Sequence, residues 1–81
     1  MVIRMFVEVG GPHNRPHFHA YYEGKVGTYA IDRRIERLEG SLPIRQERLI
    51  TAWAKIHRDE LVENWNTLQA GRPPTRIEPL R

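Results

Sequence analysis

Three of the four histidines of this chain lie close together, as His13, His17 and His19. If residues 17–23 form a β-strand, His17 and His19 leave the same face of it, ~6.5–7 Å apart along the strand. An imidazole titrates near neutral pH, so it can accept or donate a proton, or bind a metal when it is neutral. Two imidazoles at this spacing can therefore straddle a phosphate or flank a metal ion.

One candidate chemistry is metal-free cleavage of RNA by the histidine pair. A neutral histidine would remove the proton of a ribose 2′-hydroxyl, and a protonated one would protonate the leaving oxygen. Arg15 is the arginine nearest in sequence, and it would stabilise the negative charge that develops on phosphorus. Tyr21 or Tyr29 would help to position the substrate. His17, His19 and Arg15, together with His57, are therefore the candidate catalytic residues.

A divalent metal site is the second candidate, because two strand histidines on one face often begin such a site. The candidate metal ligands are His13, His17, His19 and His57, with Glu23 as a further possible donor. The spacing from His17 to Glu23 is similar to the first cupin motif, but the chain is too short for a cupin and lacks the second histidine motif. Apart from a divalent metal, no cofactor is expected, since no glycine-rich phosphate loop is present.

The same histidines also have a purely structural interpretation. His17 and His19 would then be half-exposed strand residues that pack on tyrosines or on a helix, and His13 would be an exposed loop residue. His57 follows Trp53 by one helical turn on an apolar stripe, where it could bond to the backbone or to solvent. A functional role for His57 requires the helix to pack over the face that carries His17 and His19.

The elements that position these residues are strands followed by a helical region. Alternation of apolar and polar residues predicts strands over residues 2–9, 17–23, 26–32 and 35–39. Glycine and proline predict a loop over 10–16, and Gly24-Lys25 is a predicted hairpin turn. Apolar residues at steps of three and four predict a helix from Pro43 to Ala70, with a break near Arg58-Asp59 at which Asp59 caps a second segment.

These elements predict an α+β fold, in which a three- or four-stranded antiparallel sheet packs against a long, kinked C-terminal helix. Trp53 and Trp65 supply much of the buried area. Residues 1–70 are expected to form a single domain. Residues 71–81 contain three prolines and three arginines and are expected to form a mobile or partner-bound tail.

Composition narrows the classes of function. The chain has 81 residues, of which 40% are hydrophobic and 28% charged, as in one small globular domain. It contains no apolar run of ~20 residues and no secretory signal pattern, so we expect no membrane span and a cytoplasmic location. The absence of cysteine excludes disulfides, thiolate zinc sites and a cysteine nucleophile. A net charge of +3 permits nucleic-acid binding without requiring it.

Several segments together resemble one known family. The segment His13–Tyr22 is similar to the signature of the domain of unknown function 4160 family. Leu38–Pro43 resembles the strand-to-helix junction of that family, and Trp53–His57 resembles its helical Trp/His motif. Glu60–Trp65 resembles its C-terminal end. The resemblance runs from Arg4 to Asn66, which is most of the chain.

This resemblance implies a small bacterial protein whose activity is not established. Such proteins are often encoded beside a second small domain, in an arrangement like a toxin–antitoxin pair, so a cognate small protein is the implied partner. Carried onto this sequence, the motif positions are His13, Pro16, His17, His19, Trp53 and His57.

Three hypotheses for the function follow. The first is a toxin-like or regulatory component of a two-gene module that acts on RNA, with His17 and His19 as the working pair and Arg15 and His57 in support. The second is a non-enzymatic binding module, which docks a cognate protein through a sheet edge and the tail or pairs with a second copy. The third is a histidine-based metal-binding protein. The expected partners are accordingly a cognate small protein, RNA or a second copy, and no membrane.

Overall fold

The computed structural model describes residues 1–6 and 15–79, and this part of the chain forms one antiparallel sheet and two helices. The elements are β1 Val2–Arg4, β2 His17–Tyr22, β3 Lys25–Ala30, β4 Glu36–Gly40, α1 Ile44–Ile56 and α2 Arg58–Gln69. The strands lie in the order β1-β2-β3-β4, each antiparallel to its neighbour. The predicted α+β class is therefore confirmed, with four strands in the described sheet.

The strand boundaries differ from the predictions at several ends. β1 ends at Arg4, although a strand was expected over residues 2–9, of which 7–9 lie outside the described residues. The hairpin turn lies one residue before the predicted Gly24-Lys25, because Tyr22 and Lys25 are the last residues that pair. Glu23 and Gly24 both have positive φ, at 46° and 77°, as in the two-residue turn that matches the twist of a hairpin.

The core lies between one face of the sheet and the two helices, and α2 contributes Leu61 and Trp65 to it. Phe18 and Tyr29 are opposite each other in register, and their fully buried rings stack at 5.5 Å. The indole ring of Trp53 meets the Phe18 ring edge-on at 6.3 Å. Gly27 leaves room for Tyr29, since a Cβ atom at Gly27 would lie 2.6 Å from the Tyr29 hydroxyl oxygen. This face of the sheet is therefore buried in the core.

The predicted long helix is instead two helices of 13 and 12 residues. The break is at His57, one residue before the predicted Arg58-Asp59, and no side chain caps the start of α2, so the expected capping by Asp59 is wrong. The N–H of His57 still donates to the carbonyl of Trp53, at 3.1 Å. The guanidinium of Arg58 donates to the backbone carbonyl of Asp32, which connects the first residue of α2 to the bend that follows β3.

Residues 72–79 contain no helix or strand, yet they contact the folded domain. The side-chain amide of Asn64 donates to the Thr75 carbonyl at 2.7 Å and accepts from the Thr75 N–H at 2.9 Å. The indole N–H of Trp53 donates to the carbonyl of Glu78 at 2.9 Å. The segment expected to be a tail therefore lies against the domain in this structure, and its mobility stays a prediction.

Candidate functional site

His17 and His19 lie on the sheet face opposite to Phe18 and Ala20, as the alternation along β2 requires. Their ring centroids are 5.2 Å apart, and the planes are nearly perpendicular, at 86°. His17 is buried, with 5% of its surface exposed, whereas His19 is half-buried. The two side chains therefore converge, and His19 is the more accessible of the pair.

The ring of His17 is oriented from two sides. Its Nδ1 atom lies 2.8 Å from the backbone carbonyl oxygen of Arg15. Because a carbonyl oxygen can only accept, Nδ1 must carry a proton, and the neutral ring therefore has its free lone pair on Nε2, the atom that can accept a second proton. The Trp65 ring of α2 packs on the His17 ring with centroids 4.9 Å apart. Burial and the hydrogen bond to the Arg15 carbonyl together define the orientation and the tautomer of the His17 ring.

His19 lies between a cation and a hydroxyl on the neighbouring strands. Arg4 of β1 and Thr28 of β3 are the residues directly opposite it in register. The Thr28 hydroxyl oxygen is 3.0 Å from Nδ1 of His19. On the far side of Thr28, Glu39 of β4 is the next residue across the sheet. We call these four residues the polar row, and its positive end is at β1.

Aromatic side chains flank the polar row. The Phe6 ring lies 5.2 Å from the His19 ring, and 41% of the surface of Phe6 is exposed. The Tyr21 ring is 6.5 Å from His19, and the Arg4 guanidinium lies 6.0 Å from the Tyr21 ring centroid. Val2, Arg4, Phe6 and Tyr21 line a shallow pocket of about 400 Å³. A planar ring and a phosphate could be bound side by side at this pocket.

Arg15 is paired with two carboxylates in this structure, and its contact with phosphate stays a prediction. Its Nε and Nη2 atoms donate to the two carboxylate oxygens of Asp32, at 3.1 and 2.9 Å, and Nη2 also lies 3.4 Å from Glu36. The hydrogen bond from Arg15 is the main reason why the pKa of Asp32 is below its ordinary value. Beside this pair, Ile31 N–H donates to the Pro16 carbonyl at 3.0 Å. Arg15 therefore anchors the segment whose carbonyl orients His17.

His57 is not brought to the strand histidines in the described part of the chain. Its Nδ1 atom lies 2.6 Å from a carboxylate oxygen of Glu60, and its ring lies 5.2 Å from the Trp53 ring. The break between α1 and α2 is at His57 itself, and these two contacts hold the ring on the helical side of the molecule. His57 therefore belongs to a separate pair with Glu60.

The described residues contain no group of three or more His, Cys, Asp or Glu side chains placed to hold a metal ion. His17 and His19 are two neighbouring donors, whereas Glu23 is exposed in the hairpin turn and His57 is paired with Glu60. His13 lies outside the described residues. A metal site at the histidine pair would therefore need a third ligand from beyond the described residues.

The tyrosines divide between the two faces of the sheet. Tyr21 lies on the face of His19, as a substrate-positioning role requires, but Tyr29 is fully buried on the core face. The Tyr29 hydroxyl donates to Glu47 of α1 at 2.9 Å, and burial and then this contact raise the pKa of Tyr29. Tyr29 is thus a core residue.

Sequence reasoning missed Arg4 and Thr28 as neighbours of His19. The alternation along β1 does predict that Arg4 and Phe6 share one face of that strand. What brings Arg4 to His19 is the register between β1 and β2, which pairs Val2 with Tyr21 and Arg4 with His19. The alternation of side chains along β1 does not predict which residues of β1 pair with which residues of β2.

Comparison with known proteins identifies the family of this chain. A family model described as a domain of unknown function, DUF4160, matches residues 1–66, and the chain therefore belongs to that family. No curated protein and no solved structure matches it. Neither of the described helices has the length and apolar character needed to cross a membrane.

Proposed function

We propose that this DUF4160 protein binds single-stranded RNA on the sheet face that carries Arg4, His19 and Tyr21, and cleaves it with the His17–His19 pair. The observation that supports this most directly is the position of His19 between Arg4 and Thr28, with the His17 ring 5.2 Å away. A cation and two imidazoles are sufficient for the proton transfers and charge stabilisation of RNA transphosphorylation.

The aromatic side chains favour a single-stranded ligand. Bases that are not paired can stack on exposed rings such as Phe6 and Tyr21, and sheet faces with such rings are a common platform for RNA. Arg4 would contact a phosphate beside them. Glu39 is exposed at the opposite end of the polar row and would repel phosphates. The RNA would therefore follow the β1 side of the sheet rather than the β4 side.

The proposed reaction needs one neutral and one protonated histidine. Neutral His19 accepts the proton of a ribose 2′-hydroxyl, and the 2′-oxygen attacks the adjacent phosphorus. The bond from phosphorus to the 5′-oxygen breaks as protonated His17 donates its Nε2 proton to that oxygen. The products are a 2′,3′-cyclic phosphate and a 5′-hydroxyl, and Arg4 offsets the negative charge on phosphorus. Because His17 is buried, the RNA would reach its ring along the edge of the His19 ring.

An RNA-cleaving activity of this kind would suit the toxin-like component of a two-gene module, the role that the family resemblance implies. A cognate small protein would then be expected to cover the polar row and its flanking rings. Such coverage would block the RNA and the histidine pair together, because they occupy one face.

The test compares three labelled oligonucleotides of one sequence with purified protein: RNA, DNA and 2′-O-methyl RNA. We expect cleavage of the RNA alone and binding of the 2′-O-methyl RNA, which lacks the attacking hydroxyl. His19→Gln should lower the cleavage rate by about 10²–10⁴-fold while the 2′-O-methyl RNA still binds. His17→Asn keeps a donor to the Arg15 carbonyl, and it should lower the cleavage rate while the 2′-O-methyl RNA still binds.

Arg4→Ala should weaken binding more than Arg45→Ala, which removes the same charge from the exposed surface of α1. An equal, small effect of the two substitutions would mean that binding is not directed to the polar row. If the wild-type protein neither binds nor cleaves any of the three oligonucleotides, the proposed function is wrong.

A further inference from the structure

Helix α1 has an exposed face in addition to the one that packs on the core. Its buried residues are Ile50, Trp53 and Ala54. Its only carboxylate, that of Glu47, accepts a hydrogen bond from the Tyr29 hydroxyl and therefore also lies on the core side. The side chains on the opposite side of the helix are all exposed. We call this surface the α1 outer face, and it consists of Arg45, Arg48, Leu49, Ala52, Lys55 and Ile56.

The charge of the α1 outer face is entirely positive. Arg45, Arg48 and Lys55 take part in none of the ion pairs found among the described residues. Glu47 does not offset them, because its carboxylate already contacts the Tyr29 hydroxyl and the Arg37 guanidinium. Arg45 and Arg48 also lie one turn apart, where like charges repel each other. A ligand that carries carboxylates would relieve this repulsion.

An aliphatic stripe runs between these cations. Leu49 and Ile56 are seven residues apart, which is two turns of helix, and Ala52 lies between them. Ile56 has 79% of its surface exposed, more than any other large hydrophobic residue that the structure describes. Single exposed hydrophobic residues are ordinary, whereas an apolar patch rimmed by charges is typical of an interaction site. The small side chain of Ala52 would allow the backbone of another helix to come close.

Charge and spacing favour an acidic amphipathic helix as the ligand of this surface. The 13 residues of α1 are about 20 Å long, so a helix of three to four turns can lie along them. A helix that binds through an apolar stripe uses anchors at i, i+3 and i+7, which is the spacing of Leu49, Ala52 and Ile56. Asp or Glu residues beside those anchors would meet Arg45, Arg48 and Lys55.

Other ligands fit the α1 outer face less well. The phosphates of RNA would contact its cations but would leave Leu49 and Ile56 without apolar contacts. Helices that lie on membranes commonly anchor with aromatic side chains, whereas the only aromatic residue of α1, Trp53, is buried. A second copy of this chain could offer its acidic helix α2. However, no large hydrophobic side chain is exposed along α2, all of which the structure describes.

We propose that the α1 outer face binds an acidic amphipathic helix of a partner protein. The sheet and the core lie between this surface and the polar row, because Tyr29 contacts α1 from the sheet face opposite to His19. A helix bound here therefore leaves the polar row open. A partner anchored here would need a further segment to reach the histidines. The proposal does not rest on the RNA activity.

The test uses a synthetic helical peptide of about 14 residues, which is about 21 Å long. It has leucine at i, i+3 and i+7 and glutamate at the flanking positions, and it is titrated into the full-length protein. We expect saturable binding, with changes in the NMR amide shifts of α1. The Leu49→Gln/Ile56→Gln double variant should bind at least about tenfold more weakly, because it loses two aliphatic contacts while glutamine preserves the helix. Val26→Gln is the matched control, since it removes an exposed aliphatic side chain from β3, and its affinity should be unchanged.

The charge requirement has its own pair of variants. Arg48→Glu should weaken binding of the peptide, whereas Arg72→Glu makes the same change at an exposed residue beyond α2 and should have little effect. A peptide of the same composition with its leucines and glutamates in scrambled order should bind at least about tenfold more weakly, because it lacks the apolar stripe. Circular dichroism of each variant should match that of the wild type, because all the substituted side chains are exposed.

Three results would overturn the proposal. The first is a wild-type protein that does not bind the acidic peptide at about 1 mM. The second is equal binding of the ordered and scrambled peptides, which would mean that only net charge is recognised. The third is a Leu49→Gln/Ile56→Gln variant that retains peptide binding but loses binding to phosphatidylserine vesicles, binding to 2′-O-methyl RNA or self-association. That result would identify a lipid surface, RNA or a second copy as the ligand of the α1 outer face.

Discussion

Replacing Tyr29 by phenylalanine tests whether this side chain stabilises the core or takes part in the candidate site. The substitution removes one hydroxyl from a fully buried ring and leaves the volume of the ring almost unchanged, so no cavity forms. It removes the 2.9 Å hydrogen bond to the Glu47 carboxylate. A hydrogen bond to a charged group contributes about 1.5–3 kcal/mol to the free energy of unfolding. We expect a loss of about 1.5 kcal/mol, at the lower end of that range, because Glu47 keeps its contact with Arg37 at 3.3 Å.

The expected loss corresponds to a decrease in Tm of about 6–12 °C, since 1 kcal/mol shifts Tm by about 4–8 °C in a domain of this size. Thermal and urea unfolding, followed by circular dichroism at pH 7, measure it. Tyr21→Phe is the matched control, because Tyr21 is only half-buried on the opposite face, and its Tm should remain near that of the wild type. RNA binding by Tyr29→Phe should be unchanged, because Tyr29 does not reach the polar row.

The pH dependence gives a second readout for Tyr29. The folded-state pKa of Tyr29 is raised above the ordinary value of 10.0, mainly by burial. The neutral hydroxyl therefore stabilises the folded state fully below pH 10.0, and this contribution is lost as the pH rises towards the folded-state pKa. Above pH 10.0, the difference in the free energy of unfolding between the wild type and Tyr29→Phe should therefore decrease. If Tyr29→Phe has the Tm of the wild type and binds RNA less well, the assignment of Tyr29 to the core is refuted.

Two further predictions concern the site and its support. Arg15→Ala should lower Tm at pH 7, and the difference from the wild type should shrink as the pH falls below 3.8 through the depressed pKa of Asp32, because protonated Asp32 no longer attracts Arg15. Melting curves at pH 7 and pH 3 measure this, and an unchanged Tm at pH 7 would contradict the anchoring role. Tightly induced expression of the wild type in a bacterial host should arrest growth with loss of intact RNA, and the His17→Ala/His19→Ala double variant should not. If both proteins arrest growth, His17 and His19 are not responsible for the arrest.

Much of the local structure followed from short-range patterns. The period of two along residues 17–22 placed His17 and His19 on one face of β2, because successive side chains of a strand alternate. Apolar residues at steps of three and four indicated helix over most of residues 44–69. The exact break at His57 did not follow, because it coincides with contacts to Trp53 and Glu60 and lacks a proline or glycine to mark it.

The composition of the site depended on pairing between distant parts of the chain. Arg15 was the natural cation to assign to the histidines by proximity in sequence, but it donates two hydrogen bonds to Asp32, 17 residues later, and a third to Glu36. Arg4 lies next to His19 only because β1 and β2 pair in one register. A shift of that register by one residue would move Arg4 to the core side, since side chains alternate with a period of two.

The amino-acid sequence by itself determined the family, the α+β class and the shared face of His17 and His19, because those depend on motifs and on the periods of strands and helices. Only the tertiary structure decided that Arg4 joins His19, that Tyr29 belongs to the core, and that Asn64 clamps the C-terminal segment. Each of these contacts joins residues far apart in the chain. They form when the register of the sheet and the packing of the helices bring those residues together, and no local pattern encodes that geometry.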